Sequence, residues 1–149
     1  MTLPPPRLNS LARPLEGRTA THDFNKYWEI ALHRPGTVRK PLTPEQRAKR
    51  PPVSHPICMT HPITGRKVLY ADPGYTMWID GMNRAESDMI LDFLFRHRTR
   101  LEYAYAHHWA VGDVLVWDNC STIHQGVGNY KLPQRRLMYR TIVKGGVPF

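Results

Sequence analysis

The run RRLMYRTIV, residues 135 to 143, brings three arginines into a segment that reads as a β-strand. Alternate side chains of a strand share a face. Arg136, Met138, Arg140 and Ile142 therefore fall on one side, and Arg135, Leu137, Tyr139, Thr141 and Val143 on the other. Whichever side turns inward carries a guanidinium, and an unpaired buried charge is costly, so the pattern calls for an anionic partner. Arginine also suits a planar carboxylate, which it grips with two parallel hydrogen bonds. The same pattern fits an edge strand whose arginines face water.

Upstream, WDNCSTIHQG (117 to 126) places a single histidine, His124, after strand-like sequence and before a glycine-rich turn. A lone histidine there can be a metal ligand, a base or a hydrogen-bonded surface residue. Asp118-Asn119 reads as a turn former, because Asx side chains bond nearby backbone. The other histidines offer less. His55 and His61 each precede a proline, His107 and His108 point to opposite faces of a strand, and His22 lies directly beside Asp23 at a probable helix start.

These residues need elements to position them. The spacing predicts a short helix within 21–34, with Phe24, Tyr27, Trp28 and Ala31 on one face and Pro35-Gly36 closing it. Residues 40–56 read as a basic, proline-punctuated connection in which Thr43 caps a brief turn started by Pro44. ICMTHPITGRKVLYA (57 to 71) predicts two strands around a turn at Pro62 to Gly65. Asn83 with Glu86 three positions on predicts a capping box opening a helix to about Arg98, with Met89, Ile90, Phe93, Leu94 and His97 at helical spacing. YAYAHHW (103 to 109), a Gly112-Asp113 turn, VLVWD (114 to 118) and RRLMYRTIV complete a strand-rich second part. The expected fold class is mainly β with helices.

With 149 residues and 41% hydrophobic content, the chain is the size of one domain. Residues 1–20, with prolines at 4, 5, 6 and 14, read as an irregular N-terminal segment, and 21–149 as the folded part. No apolar run of about 18 residues suggests a membrane span, and no leader pattern is visible, so a cytoplasmic protein is expected. Cys58 and Cys120 are 62 positions apart without a CxxC partner and read as small buried residues. The net charge of +9 raises the possibility of a basic nucleic-acid-binding domain. Residues 1–50 hold 10 Lys/Arg against 4 Asp/Glu, so six of those nine charges sit in a proline-rich segment that reads as lacking base-stacking aromatics, and no nucleic-acid partner is expected.

Taken together, GDVLVWDNCSTIHQGVGNYKLPQRRLMYRTIV resembles the C-terminal signature of the taurine dioxygenase (TauD/TfdA) family of Fe(II)/2-oxoglutarate-dependent oxygenases, and THPITGRKVLYADPGYTMWIDGM with ESDMILDFLF resembles the segment before it. The similarity runs from about Asp23 to the C-terminus. It implies the C-terminal part of a double-stranded β-helix, a jelly-roll or cupin-like fold, with Fe(II), 2-oxoglutarate and O2 as cofactors and co-substrates. It also implies a hydroxylation that releases succinate and CO2, as in taurine catabolism, and a homo-oligomer in the intact family member. His124 matches the distal histidine of a 2-His-1-carboxylate iron triad. Arg136 matches the arginine that pairs with 2-oxoglutarate, Arg140 the one that meets an anionic substrate head (sulfonate, sulfate ester or carboxylate), and Tyr75 an aromatic wall of the substrate pocket. On a strand Arg136 and Arg140 lie about 13 Å apart, enough to address separate anions. No histidine here has Asp or Glu two positions later, so the family's HxD ligands are expected outside this sequence. The alternatives are a catalytically inactive piece with a structural or partner-binding role, and the basic nucleic-acid-binding domain.

Overall fold

The computed structural model describes residues 15–128, 133 and 135–146. Two small antiparallel sheets and a few helices make up the ordered architecture. The first sheet has the order β2-β1-β5, formed by β1 (Thr19–His22), β2 (Val53–Pro56) and β5 (Thr76–Ile79). Thr19 faces Pro56 and His22 faces Val53, and on the other side Ala20 faces Ile79, with a bulge between Thr21 and His22 before the pairing with Thr76. Pro56 is tolerated because β2 is an edge strand, where a missing N–H costs no ladder bond. The second sheet is the predicted hairpin of β3 (Cys58–Thr60) and β4 (Lys67–Leu69), turned through Gly65 at φ +67°.

Asp80 binds the three-stranded sheet together. Its carboxylate accepts hydrogen bonds from Thr19 and Thr21 on β1, both 2.6 Å, and from Ser54 on β2. Partial burial pushes its pKa up, but the three hydroxyl donors outweigh this and hold the carboxyl below its ordinary value.

Helix α1 (Phe24–Leu32) is capped by Asp23, whose side chain accepts from the Asn25 amide at 2.8 Å. Ala31 is buried and Phe24, Tyr27 and Trp28 half-buried, as the periodicity predicts. Helix α2 (Pro44–Ala48) has a complete capping box between Thr43 and Gln46 with Pro44 in the first turn, and an ion pair between Arg47 and Glu29 ties it to α1. Helix α3 (Arg84–Arg98) is capped by Asn83, which accepts from the Ala85 amide at 2.9 Å; among the described residues no bond returns from Glu86, so the predicted box is a single cap. Its inward stripe is Ser87, Leu91 and Leu94; of the expected face Leu94 is buried and Ile90 and Phe93 pack against the core, whereas Met89 is exposed. Ser87 Oγ accepts the Ile79 amide at 2.8 Å, docking α3 on β5. The core is Leu15, Ala20, Ile57, Ala71, Ile79, Leu91 and Leu94.

Two expectations are corrected. Strands occur earlier than predicted: β1 begins at Thr19, inside the segment read as irregular, and β2 lies in the stretch read as a connection. Conversely, the described residues of 103–109, 114–118 and 135–143 form no strand; only a 3-10 turn, Leu101–Tyr103, precedes them. A strand exists only where another backbone satisfies its N–H and C=O groups. The alternating sequence of these segments finds no such partner among the described residues, and Val114 stands 88% and Leu137 80% exposed.

Candidate functional site

The loop before His124 is built around Asp118. Its carboxylate accepts from Ser121 Oγ at 2.6 Å, the Cys120 amide at 2.8 Å and His61 Nε2 at 2.8 Å. Those donors, Ser121 foremost, hold the carboxyl well below the usual carboxylate range. The Thr122 hydroxyl and amide return to the Asp118 carbonyl, and Trp117 Nε1 donates to Asn119 Oδ1 at 2.9 Å, so WDNCST is a closed turn. The turn-former reading of Asp118-Asn119 is thus borne out locally.

His61 was undervalued from sequence. Its Nδ1 accepts the amides of Ile63 and Thr64 at 3.2 and 3.1 Å, which requires a lone pair there and leaves Nε2 as the donor to Asp118. One imidazole therefore orders the β3–β4 turn and fastens it to the His124 loop. The signal was the Thr-His-Pro sequence at the mouth of a hairpin, which betrays a turn but not a partner 57 positions away.

His124 itself is exposed, its ring 4.8 Å from that of Trp117 and tilted by 55°. Both imidazole nitrogens are without a hydrogen-bond partner among the described residues, the state in which imidazole can ligate a metal. Among the described residues no three His, Cys, Asp or Glu side chains converge to hold an ion. The described residues alone therefore do not compose a 2-His-1-carboxylate site.

Arg136 and Arg140 are exposed and do not share a strand face, because residues 135–143 form no ladder. Arg136 instead folds back to the turn that follows His124: its guanidinium reaches the Val127 carbonyl at 3.5 Å, and its Nε meets Met138 Sδ at 2.8 Å. A Cβ at Gly126 would lie 3.8 Å from the same guanidinium. Arg136 and His124 are thereby brought to one loop.

Tyr75 belongs to a second group, an aromatic stack with Phe24 and Tyr27. The Tyr75 ring stacks on Tyr27 at 5.3 Å and on Phe24 at 6.4 Å, and remains 36% exposed. It is held by the turn at Asp72: Gly74 and Asp72 bond through backbone and carboxylate, and Asp23 donates its amide to the Tyr75 carbonyl at 2.8 Å. A Cβ at Gly74 would come 3.0 Å from Asp72 Oδ1, so a larger residue there would have to displace that carboxylate slightly. Burial, Tyr27 and Asp72 push the Tyr75 phenol up, and the positive charges of Arg140 and Arg50 oppose them. The basic segment is also not free of aromatics as the sequence suggested: Arg39 lies over Trp28 at 4.6 Å, Arg34 over Tyr27 at 5.9 Å and Arg50 over Phe24 at 4.1 Å. Each of these rings thus carries one of the protein's own cations on a face.

Comparison with known proteins places this arrangement. The sequence model of the family described as taurine catabolism dioxygenase TauD, TfdA matches residues 3–142, starting some twenty residues before the similarity visible by eye. A Schizosaccharomyces pombe protein provisionally named alpha-ketoglutarate-dependent sulfonate dioxygenase is 37% identical over 140 residues, covering 93% of this chain and 34% of the relative. The alpha-ketoglutarate-dependent 2,4-dichlorophenoxyacetate dioxygenase of Cupriavidus pinatubonensis is 38% identical over 95 residues, 64% of this chain and 32% of the relative. The crystal structure of AAD-2 in complex with Mn(II) and N-oxalylglycine superposes with a TM-score of 0.54 at 26% identity, over 68% of this chain and 38% of that one. The chain spans about a third of the length of the curated relatives it matches. Matched along nearly its whole length, the chain belongs to the taurine catabolism dioxygenase TauD, TfdA family.

Proposed function

We propose that this chain is the C-terminal part of an Fe(II)/2-oxoglutarate-dependent dioxygenase. In the whole protein, one substrate C–H bond would be hydroxylated by O2 while 2-oxoglutarate is converted to succinate and CO2. Residues 21–149 would form the C-terminal portion of a double-stranded β-helix. The strand-patterned segments 103–109, 114–118 and 135–143, with apolar side chains facing outward, would pair with strands supplied by the rest of that fold. The observation that carries the reading is Arg136 folded onto the turn that follows His124, which sets a carboxylate-gripping guanidinium and an exposed imidazole on one loop.

In this reading His124 contributes one ligand to the iron, whose chemistry is O2 activation; the remaining ligands come from outside the described residues. Arg136 holds the distal carboxylate of 2-oxoglutarate. Arg140 receives the anionic head of a small substrate, with Tyr75 as an aromatic wall. Names of relatives in this family speak of a sulfonate and of a phenoxyacetate, both anionic, which agrees with a cationic substrate end. Succinate release by the complete protein, screened with sulfonates, sulfate esters and carboxylates, tests the assignment. Turnover of anionic substrates that is lost in Arg140→Gln is expected, and turnover of neutral or cationic substrates alone would remove the Arg140 role.

A further inference from the structure

Strand β1 carries a buried histidine with one nitrogen left over. His22 is 9% exposed, and its Nε2 has no hydrogen-bond partner among the described residues. Buried polar atoms are nearly always hydrogen-bonded, so a nitrogen in that state calls for a ligand. The other ring nitrogen, Nδ1, lies 3.2 Å from the hydroxyl of Thr76, a fully buried residue on β5.

The fold brings two further rings to this histidine. His55 faces Ala20 across the β1–β2 ladder, and Ala20 and His22 are two apart on β1, so the two histidines share one face of the sheet as diagonal neighbours. Tyr70 is set beside them by its amide, which donates to the carbonyl of Ile57, just after β2, at 2.8 Å. The three rings stand at the corners of a nearly equilateral triangle, with centroids 5.7 Å apart for His22–His55, 5.6 Å for His22–Tyr70 and 5.8 Å for His55–Tyr70. Their planes are inclined by 53°, 50° and 87°, so no pair is stacked and the ring edges can turn toward one point. The spacing suits a shared ion: with metal–nitrogen bonds of about 2.0–2.1 Å, two imidazoles on one ion stand with centroids roughly 5–6 Å apart.

We propose that His22 Nε2, a ring nitrogen of His55 and the Tyr70 oxygen bind a divalent cation of the zinc or copper class, with water completing the shell. Two imidazoles and a phenolate are nitrogen and oxygen donors that suit these ions. Tyr70 enters as phenolate, its proton passing to solvent on binding. Thr76 supplies the outer support. A metal on Nε2 leaves the proton of the neutral ring on Nδ1, which donates to Thr76 Oγ1, while the Asp72 amide occupies the other lone pair of that oxygen at 2.8 Å. The site uses none of the residues assigned above to the oxygenase reaction, and it stands or falls apart from that reading.

The test is titration of the full 149-residue chain with Zn(II) and, separately, Cu(II), in wild type, His55→Gln, Tyr70→Phe and His124→Gln, with metal-free unfolding midpoints recorded for each. In wild type, Zn(II) raises the unfolding midpoint and shifts the ring NMR signals of His22 and His55, and Cu(II) develops a phenolate-to-copper charge-transfer absorption. His55→Gln weakens Zn(II) binding by at least about tenfold. Tyr70→Phe abolishes the absorption, and His124→Gln leaves both the Zn(II) affinity and the absorption unchanged. Zn(II) binding unaffected by His55→Gln, ring shifts confined to His124, or a copper absorption that is absent in wild type or survives in Tyr70→Phe overturns the proposal. If His55→Gln lowers the metal-free midpoint, the copper absorption in Tyr70→Phe and the His22 ring shifts in wild type decide.

Discussion

Residues 15–103 and residues 104–146 have similar strand-favouring texture but opposite fates. In the first region TATH, VSHP and TMWI, none of them a strong strand signature, form a sheet because three backbones meet and Asp80 ties them at one end. In the second, VLVWD and RRLMYRTIV have the better strand sequences and form no ladder among the described residues. What decides is the availability of a partner backbone together with a shared apolar face, and β-propensity describes fitness for such a surface more than an intrinsic tendency.

The contrast can be broken or sharpened by mutation. The largest effect is expected at Leu94, 1% exposed where α3 meets the sheet: Leu94→Ala should cost about 2–5 kcal/mol in urea unfolding, whereas Val114→Ala in the second region should change stability by less than about 0.5 kcal/mol. Equal costs at the two positions would mean that the second region is packed. Next, Asp80→Asn removes the negative charge on which three hydroxyl donors converge and should cost about 1–2 kcal/mol by the same measurement. An unchanged midpoint would show that Asp80 does not clamp the sheet.

A smaller effect is expected from acid. His22 is buried in β1, with its Nδ1 3.2 Å from Thr76 Oγ1 and its Nε2 without a hydrogen-bond partner among the described residues, and its ring lies near those of His55 and Tyr70. Burial, then His55 and Lys26, lower its pKa from 6.5, against the opposing pull of Asp72 and Asp80. The unfolded chain therefore takes up a proton near pH 6.5 while the folded chain still resists. Stability contributed by neutral His22 is full above about pH 6.5 and declines as pH falls toward the lower folded value. Thermal midpoints between pH 7.5 and 5 should drop more steeply in wild type than in His22→Gln, and parallel curves would exclude His22 as the cause. The smallest global effect belongs to Asp118→Asn, on the exposed loop of the second region. The unfolding midpoint should hardly move, but the environments of Trp117 and His124 should change in fluorescence and NMR because the His61 link is weakened. Unaltered Trp117 and His124 signals would show that the link does not position the loop.

Local chemistry was legible in the sequence wherever the cause is local. The β3–β4 hairpin follows from Pro62 and Gly65, α1 from its aromatic face and closing Pro35-Gly36, and α2 from Thr43-Pro44. Strand β1 was not legible, since Thr-Ala-Thr-His becomes central only by pairing with residues more than thirty positions away on both sides. The same division holds at the site. His124, Arg136, Arg140 and Tyr75 could be chosen by residue type and by resemblance, and the structure joins Arg136 to the turn after His124 and stacks Tyr75 on Tyr27 and Phe24. The His61–Asp118 link and the Arg50 seat on Phe24 depend on long-range contacts that no spacing rule encodes.

The central claim is that Arg136 grips a 2-oxoglutarate carboxylate beside His124. Its most direct test is titration of the chain with N-oxalylglycine, observed through the NMR signals of Gly126, Val127 and His124. The account predicts saturable shifts at these residues that weaken at least tenfold in Arg136→Gln and are unchanged in Arg140→Gln. Shifts insensitive to Arg136→Gln, or none at this loop, would contradict it.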